Sequence, residues 1–184
     1  FAMALCDSQY ANEWDGYDVD WEIGSGVFDM DGTLSAYKHL IYLVKEMNNY
    51  IGPKSDPEGK GHKMICIDGS IGGLTRELDE YVDYWIIQSY GSSRPGLEGY
   101  GVDPKKIICT ENFEAYAPTG GALLSQAATM PSKGYKGGVG AYRFEKDYDN
   151  TPDYKFMRQA IQINQQVFNE WKAKQNEAEN KPQE

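Results

Sequence analysis

Asp18, Asp20 and Glu22 stand two residues apart in Tyr17-Asp18-Val19-Asp20-Trp21-Glu22, a segment that alternates polar and apolar with period two. In an extended strand this spacing sends all three carboxylates to one face and Val19 and Trp21 to the other, with Cα atoms about 6.6 Å apart per two residues. Charges that close raise one another's proton affinity, so one carboxyl of the cluster can hold its proton near neutral pH. A protonated acid beside an ionised partner suits cleavage of a glycosidic bond: the acid protonates the leaving oxygen, and the partner stabilises the developing positive charge. The bare pattern also fits a solvated strand end or an acidic calcium-binding cluster.

The elements that must hold such a strand can be read along the chain. Phe1 to Tyr10 reads as the end of a helix, and Tyr17 to Glu22 as a strand. A Gly-rich loop from Ile23 to Thr33 leads into a helix from Leu34 to Tyr50, on which Leu34, Tyr37, Ile41, Val44 and Met47 recur at helical spacing. Lys63 to Ile67 is a short apolar strand, Leu74 to Tyr81 a helix, and Val82 to Ser89 a strand. Lys106 to Thr110 is a fourth strand, Gly121 to Met130 a short helix, Gly138 to Phe144 a fifth strand, and Tyr154 to Trp171 a long helix. Five apolar strands alternating with helices predict a parallel sheet and an α/β fold. Several strands end in a polar or aromatic residue beside a loop: Glu22, Asp68, Tyr90, Glu111 and Tyr142. In an eight-stranded β/α barrel such positions line the mouth of the active site. A complete barrel takes about 250 residues, so on that reading roughly three βα units are missing upstream of Phe1.

Composition narrows the functional classes. The 184 residues carry 18 basic and 28 acidic side chains, a formal charge of −10, with 40% hydrophobic and 13% aromatic residues. That aromatic load predicts one globular domain over residues 1–171, followed from Lys172 to Glu184 by a solvated helix end and a frayed polar tail. No run of 18 apolar residues is present, so no membrane span is expected. The net negative charge argues against a nucleic-acid partner, because phosphate binding rests on Lys and Arg. Fourteen Tyr and four Trp suit stacking on sugar rings. Of the three cysteines, Cys66 and Cys109 lie in apolar runs and are expected as buried free thiols. His39 and His62 have no Cys/His spacing that suggests zinc, and are expected as surface or packing residues. Phe1 to Tyr10 lacks the basic region and length of a signal peptide.

The longer segment Asp15-Gly16-Tyr17-Asp18-Val19-Asp20-Trp21-Glu22 matches, residue for residue, the D-G-x-D-x-D-x-E signature of glycoside hydrolase family 18, the chitinases and endo-β-N-acetylglucosaminidases. Val82 to Tyr90 resembles that family's sixth barrel strand, whose tyrosine faces the substrate, and Gly137 to Tyr148 resembles its eighth. The resemblance implies that the chain holds the C-terminal five βα units of a TIM (β/α)8 barrel. It also implies retaining hydrolysis in which the substrate's 2-acetamido oxygen is the nucleophile, the substrate-assisted exception to catalysis by two carboxylates. Glu22 would be the acid and later the base, Asp20 would orient the acetamide and stabilise its cation, Asp18 would tune Asp20, and Tyr90 would hydrogen-bond the acetamide carbonyl. Gln88, Glu111, Tyr142 and Asp68 are the expected substrate-binding residues. No metal or organic cofactor is implied; the partner is an N-acetylglucosamine-containing glycan or glycoprotein, and the location is secreted, periplasmic or cell-surface.

Two departures from chitinases bear on the substrate. Their sixth strand reads Met-x-Tyr-Asp where this chain has Gln88-Ser89-Tyr90-Gly91, and their eighth presents a tryptophan where Tyr142 stands. Both lean toward endo-β-N-acetylglucosaminidases that cut the chitobiose core of N-glycans, whereas Trp21 is the residue many chitinases have. A chitinase and a non-catalytic glycan-binding relative are the alternatives. A competing motif, Val27-Phe28-Asp29-Met30-Asp31-Gly32-Thr33-Leu34, resembles the D-x-D-G-T-L loop of haloacid-dehalogenase-like phosphatases, with Asp29 as nucleophile and Asp31 as acid/base. Those enzymes set the loop directly after a buried apolar strand and need a later Gly-Asp pair for magnesium. Here Ile23-Gly24-Ser25-Gly26 precedes it and no Gly-Asp occurs. Asp31-Gly32 as a turn and Thr33 as a helix cap account for the same residues.

Overall fold

The computed structural model describes residues 1–22, 36–69, 71, 72 and 74–179, apart from the side chains of Gln9, Ala36 and Tyr37. Asp29, Asp31 and the rest of the phosphatase-like loop lie outside the described residues, as does the last part of the tail. The chain divides into two compact units, one formed by Phe1–Ile87 with Tyr100–Val102 and the other by Gln88–Gly99 with Asp103–Glu184.

The first unit runs α1 (Ala2–Ala11), β1 (Gly16–Trp21), α2 (Ala36–Met47), β2 (Met64–Gly69), α3 (Thr75–Leu78) and β3 (Tyr84–Ile87). β1 pairs in parallel with β2, and β2 with β3. The alternation seen in the sequence decides the faces. Trp21, Ile65, Ile67, Trp85 and Ile87 are in phase across the three strands and are buried, Ile65, Ile67 and Trp85 completely. Each such side chain contributes roughly 1.5–3 kcal/mol by leaving water. On α2 the buried positions are Leu40, Val44 and Met47, a true helical stripe. Val44 and Met47 of the expected stripe are buried, whereas Ile41 is only half-buried and Leu40 takes its place; Leu34 and the Tyr37 side chain lie outside the described residues. The helix expected from Leu74 to Tyr81 ends as α3 at Leu78 and closes with a 3-10 turn over Asp79–Tyr81. The indole Nε1 of Trp85 donates to Asp79 across 3.0 Å, which satisfies the polar atom of the largest buried ring.

The second unit runs β4 (Ile107–Asn112), α4 (Phe113–Tyr116), α5 (Leu123–Ala128), β5 (Gly138–Tyr142) and α6 (Lys155–Glu179), with β4 and β5 parallel. α4 is not legible in the sequence as a helix. It follows β4 without a loop because Asn112 caps it, its side-chain oxygen accepting from the N–H groups of Glu114 at 2.9 Å and Ala115 at 3.4 Å. Phe113, Ala117, Leu123, Ala127, Phe156 and Ala160 form the core, which joins α4, α5 and α6. Gly120 has φ of 78°, and a Cβ there would lie 2.4 Å from the Phe156 ring, so only glycine lets the turn before α5 pass that ring. α6 extends through Glu179 with residues 172–179 exposed, a stretch whose Ala, Lys, Gln and Glu are good helix formers.

Candidate active site

In the first unit β1 places Asp18 and Asp20 on the face opposite Trp21, and Glu22 directly follows the strand end. The register sets Asp18 beside Cys66 and Asp20 beside Asp68. Cys66 and Asp68 pair in turn with Tyr84 and Ile86 of β3, so these side chains share one face. Asp18, Asp20 and Glu22 are exposed; Asp68 and Cys66 are half-buried. Asp18 keeps water contact yet stands among the packed atoms of the strand face, and its carboxyl is raised above the usual carboxylate range by partial desolvation first and by the Asp20 charge second. The Cys66 thiol is pushed up to about 12, by burial first and then by the charges of Asp18 and Asp83, which leaves it unreactive at neutral pH. Cys66 therefore differs from the expectation of a fully buried thiol because it lies on the carboxylate face. Cys109 and Cys6 are buried.

The raised Asp18 has a consequence for stability. A carboxyl that binds its proton more tightly when folded supports the fold below its unfolded pKa, and that support is lost as pH rises through the folded value. Asp18→Asn is expected to raise the melting temperature at pH 7, with the gain shrinking toward pH 4, while glycan turnover falls. Equal melting temperatures for the variant and the parent at pH 7 would show that Asp18 feels neither burial nor Asp20.

In the second unit Gln88, Ser89 and Tyr90 continue from β3 as a half-buried segment. Ser92 N–H donates to the Ser89 carbonyl at 2.8 Å, which closes a turn with Tyr90 and Gly91 at its centre. Gly91 has φ of 70°, the left-handed region, so the position that reads aspartate in chitinases is here a glycine that the turn requires. The Gln126 side-chain nitrogen on α5 donates to the carbonyls of Ser89 at 2.9 Å and Ser92 at 3.2 Å and braces the same turn. The Tyr90 and Tyr142 rings are 6.4 Å apart with planes 32° from parallel. Tyr142 is 48% exposed at the end of β5, an accessible apolar surface beside Tyr90. The following residue, Arg143, is held by Glu145 at 2.6 Å and Glu114 at 3.3 Å.

Of the expected site residues, β1 and β2 bring together Asp18, Asp20, Glu22 and Asp68 in one unit, and the other unit holds Gln88, Tyr90, Glu111 and Tyr142. Glu111 is the surprise of the second group: it is fully buried, and its carboxylate accepts three backbone N–H groups. Gln126 escaped sequence reasoning, although a glutamine inside the apolar run Leu123-Leu124-Ser125-Gln126-Ala127-Ala128 was a usable signal for a bracing amide. His62 is half-buried, with Nε2 at 2.8 Å from Asp83 and Nδ1 at 3.7 Å from Asp56. Asp83 also accepts the Ile65 N–H at 2.9 Å, so the histidine belongs to a brace at the start of β2. Among the described residues no three His, Cys, Asp or Glu side chains gather as a metal site needs, and no described helix is long and apolar enough to cross a membrane.

Parallel strands alternating with helices define an α/β protein. The model of glycoside hydrolase family 18, BT1044-like, matches residues 1–163, and the chain belongs to that family. Among solved structures, a selenomethionine Glu-to-Gln variant of BT1044 is similar at 27% identity and a TM-score of 0.71, over 90% of this chain and 58% of that one. The endo-β-N-acetylglucosaminidase of Cordyceps militaris is similar at 24% identity and a TM-score of 0.66, over 89% of this chain and 60% of that one. The catalytic domain of a family GH18 chitinase from the fern Peteris ryukyuensis is similar at 13% identity and a TM-score of 0.57, over 88% of this chain and 61% of that one. The last two likenesses concern the fold. The chain spans about 60% of the length of these structures. No curated protein matches the chain at a significant level.

Proposed function

We propose that this chain carries the catalytic strand of a retaining glycosidase that cleaves the β-1,4 bond between two N-acetylglucosamine residues, with the chitobiose core of N-glycans as substrate. The observation that carries the reading is the family match joined to the geometry of β1: Asp18 and Asp20 on one exposed face, Asp18 raised by burial and by its neighbour, and Glu22 exposed at the strand end. The acetamide oxygen of the substrate attacks the anomeric carbon, the glycosidic C–O bond breaks, and Glu22 gives its proton to the leaving oxygen. Asp20 orients the acetamide and offsets the positive charge of the cyclic intermediate. Asp18 holds the proton that lets Asp20 stay ionised. Glu22, now a carboxylate, takes a proton from the water that attacks the same carbon and reopens the ring, which restores the acetamide with retained configuration. Tyr90 donates to the acetamide carbonyl, and Gln88, Tyr142 and Asp68 contact the sugar.

Support for the N-glycan comes from the Cordyceps militaris enzyme, whose Asp-to-Asn, Glu-to-Gln double variant was solved in complex with fucosyl-N-acetylglucosamine-Asn. Its two substituted positions are two apart, the spacing of Asp20 and Glu22. We propose further that three βα units complete the barrel and that the protein works outside the cytoplasm, where glycoproteins are met. Incubated with a high-mannose glycoprotein, the protein is expected to release the glycan and leave one N-acetylglucosamine on the asparagine, read by mass spectrometry. Release from chitin oligosaccharides alone would make it a chitinase. Binding without release from either would make it a glycan-binding relative, and magnesium-dependent release of phosphate from an aryl phosphate would return the reading to Asp29 and Asp31.

A further inference from the structure

Glu111 is fully buried, yet its carboxylate touches three separate stretches of backbone. Oε1 accepts from the N–H of Gly91 at 2.9 Å and of Asn112 at 2.7 Å, and Oε2 accepts from the N–H of Ala122 at 2.6 Å. These donors belong to the turn that presents Tyr90, to the end of β4 and to the residue that opens α5. Asn112 is also the register partner of Tyr142 on β5, so the same carboxylate stands behind both tyrosines of the strand ends. A carboxylate has acceptor sites for all three donors and no donor of its own, and charge makes each bond stronger than a neutral one. Gly91 adjoins Tyr90 directly, so a shift of the Gly91 N–H moves the Tyr90 ring.

We infer that Glu111 is a positioning residue that fixes the Tyr90 ring through the Gly91 N–H, and so sets how precisely the site orients the N-acetyl group for attack in the transition state. The inference rests on the role proposed for Tyr90, and it replaces the expectation that Glu111 itself contacts substrate. Glu111→Gln keeps the shape but replaces one acceptor with a donor, so the amide can serve Gly91 and Asn112 or Ala122, not all three. The carboxylate's hold on the turn is then divided.

The test is a double-mutant cycle on glycan release with Glu111→Gln, Tyr90→Phe and the pair. Glu111→Gln is expected to lower kcat at least tenfold with KM changed less than threefold, and to cost less than threefold when combined with Tyr90→Phe. Asp147→Asn serves as the control, since Asp147 is another fully buried carboxylate of this unit, accepting from the Met157 N–H at 2.7 Å. Its factor is expected to be the same whether Tyr90 is intact or carries the Tyr90→Phe change. A second readout needs no turnover: 3-fluorotyrosine at position 90 should show a fluorine resonance that shifts or broadens in Glu111→Gln and stays put in Asp147→Asn. Equal factors for Glu111→Gln on both backgrounds, or an unmoved resonance, would overturn the inference. A parent protein that releases no glycan counts against the proposed function, and the fluorine spectrum then decides on Glu111 alone. Should Glu111→Gln not fold, Glu111→Asp, which keeps the charge and withdraws it by one methylene, enters the same measurements.

Discussion

Replacing Glu22 with Gln is expected to lower kcat for glycan release by about 100- to 10,000-fold, the size of effect that a positioned proton donor supplies. The amide has the shape of the acid and none of its proton, so the loss falls on the transition state and leaves ground-state affinity within about threefold of the parent. The fold should not respond. Glu22 is exposed just beyond the end of β1, so the melting temperature of the variant should match the parent within about 1 °C, as surface substitutions of similar shape usually do. Rates on a high-mannose glycoprotein and titration calorimetry with the released glycan separate the two effects. Full turnover in Glu22→Gln would remove Glu22 from the chemistry, and with it the account of β1 as a catalytic strand. Loss of binding together with rate would show instead that the side chain holds the sugar and does not protonate it.

What the sequence makes legible is what local pattern controls. The alternation from Tyr17 to Trp21 shows both the strand and its carboxylate face, because in a strand the face of a side chain is set by parity alone. The five strands and the long final helix follow in the same way from apolar runs and helical spacing. Boundaries fail where a side-chain hydrogen bond sets them. α4 exists because Asn112 caps it at once, and the helix after Leu74 is cut at Leu78 and finished as a 3-10 turn beside the Asp79 that holds the Trp85 indole. Side-chain roles fail where the partners are far away in sequence. Glu111 reads as a mouth residue because an acid at a strand end usually faces water, but two of its three donors, at residues 91 and 122, lie in stretches that no short-range pattern joins to it. The stripe read on α2 is met at Val44 and Met47 but takes Leu40 in place of Ile41, because the two are equally apolar and only the packed structure selects Leu40.

The same limit hides a buried cation. Lys136 is 5% exposed, and its ammonium donates to the carbonyls of Ala127 at 2.8 Å and Thr129 at 2.7 Å at the end of α5. Burial lowers it from 10.5 to about 8, with attraction to Cys109 a smaller opposing effect. The unfolded chain thus binds this proton more tightly than the folded one, so the lysine's contribution to stability rises with pH between about 8 and 10.5. That interval amounts to roughly 3 kcal/mol at 1.36 kcal/mol per pKa unit. The thiols act in the other direction: burial pushes Cys109 from 9.0 up to about 11, so the folded state keeps that proton longer and loses stability as pH passes 9. Stability of the parent should therefore climb from pH 8 to about 9 and then turn over. Lys136→Met isolates the lysine, since it fills the same space with no charge to desolvate. Urea unfolding at pH 7 and at pH 10.5 is expected to show the variant's stability relative to the parent falling by roughly 3 kcal/mol between the two, the parent having recovered what the buried ammonium cost it. The sign of the difference at either pH alone depends on the two carbonyls left without a donor, but its change with pH depends on the proton. A difference that stays constant from pH 7 to 10.5 would mean that the Lys136 ammonium is as well solvated in the folded protein as in the unfolded chain.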